Sequence, residues 1–364
     1  MPSPLSSPPI LPGRRPLSRR RLLAGLGSAA VGLTLVSCGR ESTRKINFYN
    51  WDTYIGRTTL ADFQADSGIR VVPSYFATND ELFAKLKAGN PGYDVIVPSN
   101  EFVTRMNTAD MLMPLDMSAI PNFANIAPEF QQADYDTTPR HSVPYTWLVL
   151  GIGYRKSKVD GVPDSWKWLY DSDRYAGRIA LLTEAADLIR IGAKYLGKSL
   201  NDVDAETTAQ VAAMLTRQKP YIKTFHEDNG QELLLAGDID LVLEYNGDIA
   251  QAMTDDSDID FVVPKEGSLL NADTLAIPNG APEPELAHQF INFLLDARVG
   301  KGIAETILYP TPNAAAKALM PASYRDNPVI FPTGPGMENS QWGRYEGPER
   351  QRLFEDAITR MRAA

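Results

Sequence analysis

Cysteine is nearly absent: the chain has one in 364 residues, Cys38. A disulfide scaffold and any cysteine-built zinc site are thereby excluded. Histidine is almost as scarce, with three, at positions 141, 226 and 288, too few for a histidine-rich metal site. Basic charge is also short. Against 45 Asp+Glu there are 36 Lys+Arg, net −9. Five of those arginines fall in residues 1–37, which hold no Asp, Glu or Lys, so the remainder carries 31 basic and 45 acidic residues, net −14. A body so acidic lacks the basic face that phosphate contacts need, so nucleic acid is not an expected partner. Hydrophobic residues at 43% and charged residues at 22% exclude wholesale disorder.

No apolar run is long enough to span a bilayer. The longest, Leu22 to Ser37, has sixteen residues, about 24 Å as a helix against a hydrocarbon core of about 30 Å. It follows Ser18-Arg19-Arg20-Arg21-Leu22-Leu23, which resembles a twin-arginine export signal, and ends in Leu35-Val36-Ser37-Cys38, which resembles a bacterial lipobox. Residues 1–37 are read as the signal and 38–45 as a tether. Cys38 is read as the lipidated first residue of the mature chain, and a plain signal with an incidental cysteine is the alternative. Gly25-Leu26-Gly27-Ser28-Ala29-Ala30 matches a dinucleotide fingerprint in letters only, since no strand precedes it.

From Ile46 the sequence alternates strand and helix patterns. Strands are expected at Ile46–Tyr49, Ile69–Tyr75 and Tyr93–Val97, with helices from Thr58 to Ser67 and from an Asn79 cap to Gly89. That β-α-β-α-β order predicts a parallel sheet, with ligands beyond the carboxyl ends of its strands. After Pro144 a second α/β unit is expected. Its strands are Ile179–Leu182, Ile239–Tyr245, Ile259–Val263 and Thr274–Ile277; its helices are 185–196, 204–218, 283–296 and 348–361. Two such units imply two lobes with a cleft between them. Asp255 to Asp260 reads as a solvated acidic loop that fails the EF-hand pattern at Phe261 and Gly267. His141 reads as a loop residue, and His226 and His288 as surface or cap residues. No P-loop and no GxSxG elbow occurs, and no cofactor or metal is expected.

Eight stretches then recur in a shared order. They are Phe48-Tyr49-Asn50-Trp51, Phe83–Lys87, Tyr93–Ser99, Val143-Pro144-Tyr145, Val262–Gly267, Leu275–Pro278, Phe290–Leu295 and Ala304–Asn313. Together they resemble the bacterial spermidine/putrescine-binding proteins of polyamine ABC transporters, of the type II periplasmic binding protein fold. The resemblance implies an α/β protein of two lobes, 46–149 plus 272–317 and 150–271 plus 318–364, each a mostly parallel sheet flanked by helices, closing at a hinge. It implies a monomeric, non-enzymatic binding protein at the outer face of the cytoplasmic membrane or in the periplasm. A lipid anchor is then its only membrane attachment, and ABC permease subunits are its partners.

The same resemblance implies a ligand site at Trp51, Asp52, Tyr54, Ser99, Glu101, Glu184, Asp187, Tyr245, Asp273 and Tyr309. The chemistry suits a polyamine: carboxylates make charge-assisted hydrogen bonds to ammonium groups, and aromatic faces cover the methylenes. Each position also has an ordinary structural use. Trp51, Tyr245 and Tyr309 can be packing; Asp52 a turn residue; Ser99 a helix N-cap; Glu101, Glu184 and Asp187 helix-start acids; Asp273 a hinge hydrogen-bonder. Asn271 stands where the family has tryptophan, and Gln341-Trp342-Gly343 does not reproduce the family's order. Two other readings are a ligand-sensing protein of the same fold for another small polar solute and an exported hydrolase using the acidic pair.

Overall fold

The computed structural model describes residues 44–364 apart from Pro139. The signal, Cys38 and most of the tether lie outside the described residues.

Ten strands form among the described residues: β1 Lys45–Trp51, β2 Arg70–Phe76, β3 Val95–Ile96, β4 Ser142–Arg155, β5 Ile179–Leu182, β6 Ile222–His226, β7 Leu241–Tyr245, β8 Ile259–Val262, β9 Leu269–Ala276 and β10 Gln341–Trp342. Their order is β2-β1-β3-β9-β4-β7-β5-β6, with β8 on β4 and β10 on β9. The expected parallel unit is present: β1 pairs parallel with β2 from Lys45↔Arg70 to Trp51↔Phe76, and with β3 at Phe48↔Val95 and Tyr49↔Ile96. On the far side β5 pairs parallel with both β6 and β7.

Between these parallel groups run two strands that change company. β4 pairs antiparallel with β9 up to Val149 and with β7 from Leu150 onward. Its fourteen residues are buried on both faces almost throughout, which requires neighbours on each side. Gly151 allows that closeness, because a Cβ there would lie 2.2 Å from the Phe261 ring.

Apolar side chains gather accordingly. One core joins Leu150, Ile152, Leu181 and Leu243 to Leu188, Val211 and Leu215, and the last helix, Pro348–Ala363, returns to it through Phe354 and Ile358. Another joins Ile46, Phe48, Leu275 and Ile277 to Phe290 and Ile291 of helix Pro284–Leu294.

Several expectations are corrected. The N-cap of helix Asn79–Lys87 is Thr78, whose side chain accepts from the Glu81 amide; Asn79 is inside the helix. The third strand shrinks to two residues, Val95–Ile96; shortly after it comes Pro98, which has no amide hydrogen to give to a ladder. β9 starts five residues earlier than expected, at Leu269. β4 and β6 carry no strand expectation at all. The acidic loop is not simply solvated: Arg155 pairs with Asp256 at 2.8 Å and Asp258 at 3.4 Å. His226 and His288 are buried rather than at the surface, with imidazole nitrogens bonded to the Leu243 carbonyl and the Asp116 amide.

Candidate ligand-binding site

Trp51, Asp52, Tyr54, Ser99, Glu101, Glu184, Asp187, Tyr245, Asp273 and Tyr309 all line one cavity. Its empty space is about 890 Å³, counting the part open to solvent, the size of a small-molecule site. Eight acidic residues line it against one basic residue, Arg105.

Strand ends supply most of the wall, as expected for a parallel sheet. Trp51 closes β1, and its indole nitrogen donates to the Val97 carbonyl at 3.0 Å, which fixes the ring edge. Asp52 follows at the exposed rim and accepts from the Thr53 amide at 2.8 Å, the turn role foreseen for it. Ser99 precedes helix Asn100–Thr108 but makes no side-chain cap bond. Glu184 sits at the start of helix Ala185–Tyr195, likewise without capping it, and instead accepts from the Asn79 amide at 3.3 Å.

Three aspartates each meet a phenol. Tyr54 donates to Asp273 at 2.9 Å, Tyr245 to Asp187 at 3.0 Å, and Tyr309 to Asp248. Tyr54 is further held by Thr146, and the Tyr145 hydroxyl donates to the Tyr54 carbonyl. The Tyr54 and Tyr309 rings meet edge-on, 5.0 Å between centroids. Tyr309 lies flat against the backbone of Gly247, where any Cβ would fall within 2.3 Å of the ring.

Burial governs the acids. Asp273 is held up at about 7 by desolvation first, partly offset by the Tyr54 hydrogen bond. Desolvation likewise lifts Asp187 and Asp248 to about 6 and pushes Glu184 well above the carboxylate range. Asp228 is raised strongly by burial and by the charges of Asp248, Glu244 and Asp273. Among the described residues no Lys or Arg side chain bridges to Asp228, Asp248 or Asp273. Desolvated carboxylates without counter-ions favour their neutral form, and a bound cation reverses that. The site is thus built to be completed by positive charge.

Glu101 differs from its expected part. Its carboxylate is bonded to Arg190, whose side chain is 3% exposed. Polar residues not foreseen include Asp248, Glu227, Asp228, Arg105, Tyr345 and Gln351. Asp248 lies three residues past the end of β7, and Glu227-Asp228 directly follow β6. The strand-end rule finds both positions once those strands are recognised, Asp248 in the first turn of helix Asn246–Asp255 and Glu227-Asp228 in the segment after β6. Asn271 also lines the cavity, and its Oδ1 has no partner.

Comparison with known proteins agrees with this geometry. The sequence model of the family described as bacterial extracellular solute-binding protein matches residues 58–332. A spermidine/putrescine-binding periplasmic protein of Escherichia coli is 32% identical over 94% of this chain and 98% of its own. A putrescine/cadaverine-binding protein of Pseudomonas aeruginosa is 31% identical over 82% and 88%. A solved spermidine/putrescine ABC transporter protein of Listeria monocytogenes superposes with a TM-score of 0.83 at 28% identity, covering 88% of this chain and 99% of that one.

Proposed function

Since the chain belongs to the bacterial extracellular solute-binding protein family, we propose that it captures a polyamine of the putrescine/spermidine class in the acidic cavity. It then delivers that ligand to the permease of an ABC importer. The observation that carries this reading is the cavity wall itself, eight acids and one arginine around aromatic rings. An ammonium group supplies the missing charge, and the rings cover the alkyl segments. Each ammonium–ring contact is worth about 0.5–2 kcal/mol.

The two lobes hinge along the antiparallel pair β4 and β9, which the change of β4 partner between Val149 and Leu150 supports. Binding from both sides favours the closed form. No helix among the described residues is long and apolar enough to cross a membrane. Anchoring is assigned to a lipid on Cys38, after twin-arginine export, on the strength of the lipobox-like Leu35-Val36-Ser37-Cys38 and the Ser18–Leu23 stretch. The protein acts as a monomer and leaves its ligand chemically unchanged.

A thermal-shift and calorimetry screen of the purified protein tests this. Putrescine, cadaverine, spermidine and spermine are compared with amino acids, sugars and betaines. At a hundred times Kd the cognate amine adds about 2.7 kcal/mol of stability. No shift with any amine, or chemical conversion of the bound amine, overturns the reading.

A further inference from the structure

We propose that Arg190 is a specificity-determining residue that limits the cavity to two ammonium groups, so that diamines bind in preference to triamines and tetramines. The inference rests on the polyamine reading and adds to it the number of charges the ligand carries.

Six of the eight cavity acids fall into two groups, and the other two, Asp52 and Glu227, are exposed to solvent. Asp228, Asp248 and Asp273 sit within one another's field, and Tyr54 and Tyr309 donate to the last two. This group takes one ammonium. The other group is Glu101, Glu184 and Asp187, and it already contains a cation. Arg190 lies one turn after Asp187 on helix Ala185–Tyr195 and acts on that carboxylate as a positive charge. Its guanidinium is bonded to the Glu101 carboxylate and to the Arg344 carbonyl.

That guanidinium is fixed. One turn further on, Lys194 donates to the Asn339 carbonyl at 2.7 Å, so both side chains hold the segment around β10 in place. At Gly343 a Cβ would lie 2.0 Å from Glu101 Oε1, which leaves the wall no room to withdraw. Arg105, on the Glu101 helix and also lining the cavity, is engaged with Asp80 at 2.7 Å. An extra ammonium beside Glu101 would therefore meet a carboxylate that already has its cation, with like charge behind it. Only the Glu184–Asp187 pair remains for a second ammonium, which fits a diamine.

Kd values for putrescine and spermidine, measured by calorimetry, test this. The native protein is expected to bind putrescine at least tenfold more tightly. Arg190→Gln releases Glu101, and the ratio moves at least tenfold toward spermidine. The double variant Glu101→Gln/Arg190→Gln has no released carboxylate and returns to diamine preference; a purely structural staple would leave single and double variants alike. Should Arg190→Gln fail to fold, Glu101→Gln serves, its unopposed guanidinium widening the preference at least threefold. Spermidine bound as tightly as putrescine by the native protein, or a ratio unmoved by these variants, overturns the inference while leaving the polyamine reading intact. Absence of binding by every amine overturns that reading and the inference with it.

Discussion

In one part of the cavity wall Asp273 and Asp248 have phenols as donors and no cation; elsewhere in it, Glu101 has a guanidinium. Both parts are acidic. The difference is whether the protein supplies the counter-charge itself. Where it does, the acid contributes to the folded structure. Where it does not, the acid is held at a cost in the ligand-free protein and repaid by the ligand. Acidity alone therefore does not identify a cation subsite; an unpartnered acid does.

The sharpest break in this contrast is Asp273→Asn. The amide keeps the shape and still accepts from Tyr54, but the charge is gone. Putrescine is expected to weaken by about 3 kcal/mol, more than a hundredfold, as for loss of one partner of a buried charged pair. The same variant is expected to be more stable than the native protein without ligand at pH 8. Calorimetry and thermal melts read both.

Glu101→Gln should behave in the opposite way. It strands the Arg190 guanidinium and costs about 2 kcal/mol of stability, less than a fully enclosed pair would because Glu101 is 12% exposed. Putrescine affinity should change less than threefold. Chemical denaturation with and without putrescine separates these two effects.

A pH series makes a smaller test. Asp273 at about 7, and Asp187 and Asp248 at about 6, bind more protons folded than unfolded between about pH 4 and pH 7. Their contribution is thus full below pH 4 and lost as pH rises through 6 and 7. The ligand-free protein is expected to lose stability from this source between pH 5 and pH 8. Putrescine binding should strengthen over the same interval, because ammonium needs the ionised carboxylates. The smallest expected effect is Tyr54→Phe, which removes one donor to Asp273 and weakens putrescine about threefold, within the range of a single hydrogen bond.

The β1–β3 unit was legible because its signals are local: apolar periodicity, and Gly68 closing its helix in the left-handed region at φ 69°. β4 was not. It is a continuous apolar segment with Pro144, Gly151 and Gly153 inside it, and those residues read as punctuation. Its strand character depends on β9 and β7, about a hundred residues away. Losing β6 had the same origin, a mixed burial pattern after Pro220, and it concealed Asp228. The ten residues carried over by resemblance share one cavity, although nothing local to Asp273 announces that Tyr54 and Asp248 surround it. The Arg190–Glu101 pair joins residues 89 apart in the chain, so no spacing rule could supply it.

Positive charge, not chain length or shape, completes this cavity. Titrating the protein with putrescine and with 1,4-butanediol, the same four-carbon chain ending in neutral hydroxyls, tests it most directly. Saturable putrescine binding is expected, at least a thousandfold tighter than any binding of the diol. Affinities within tenfold of each other would contradict it.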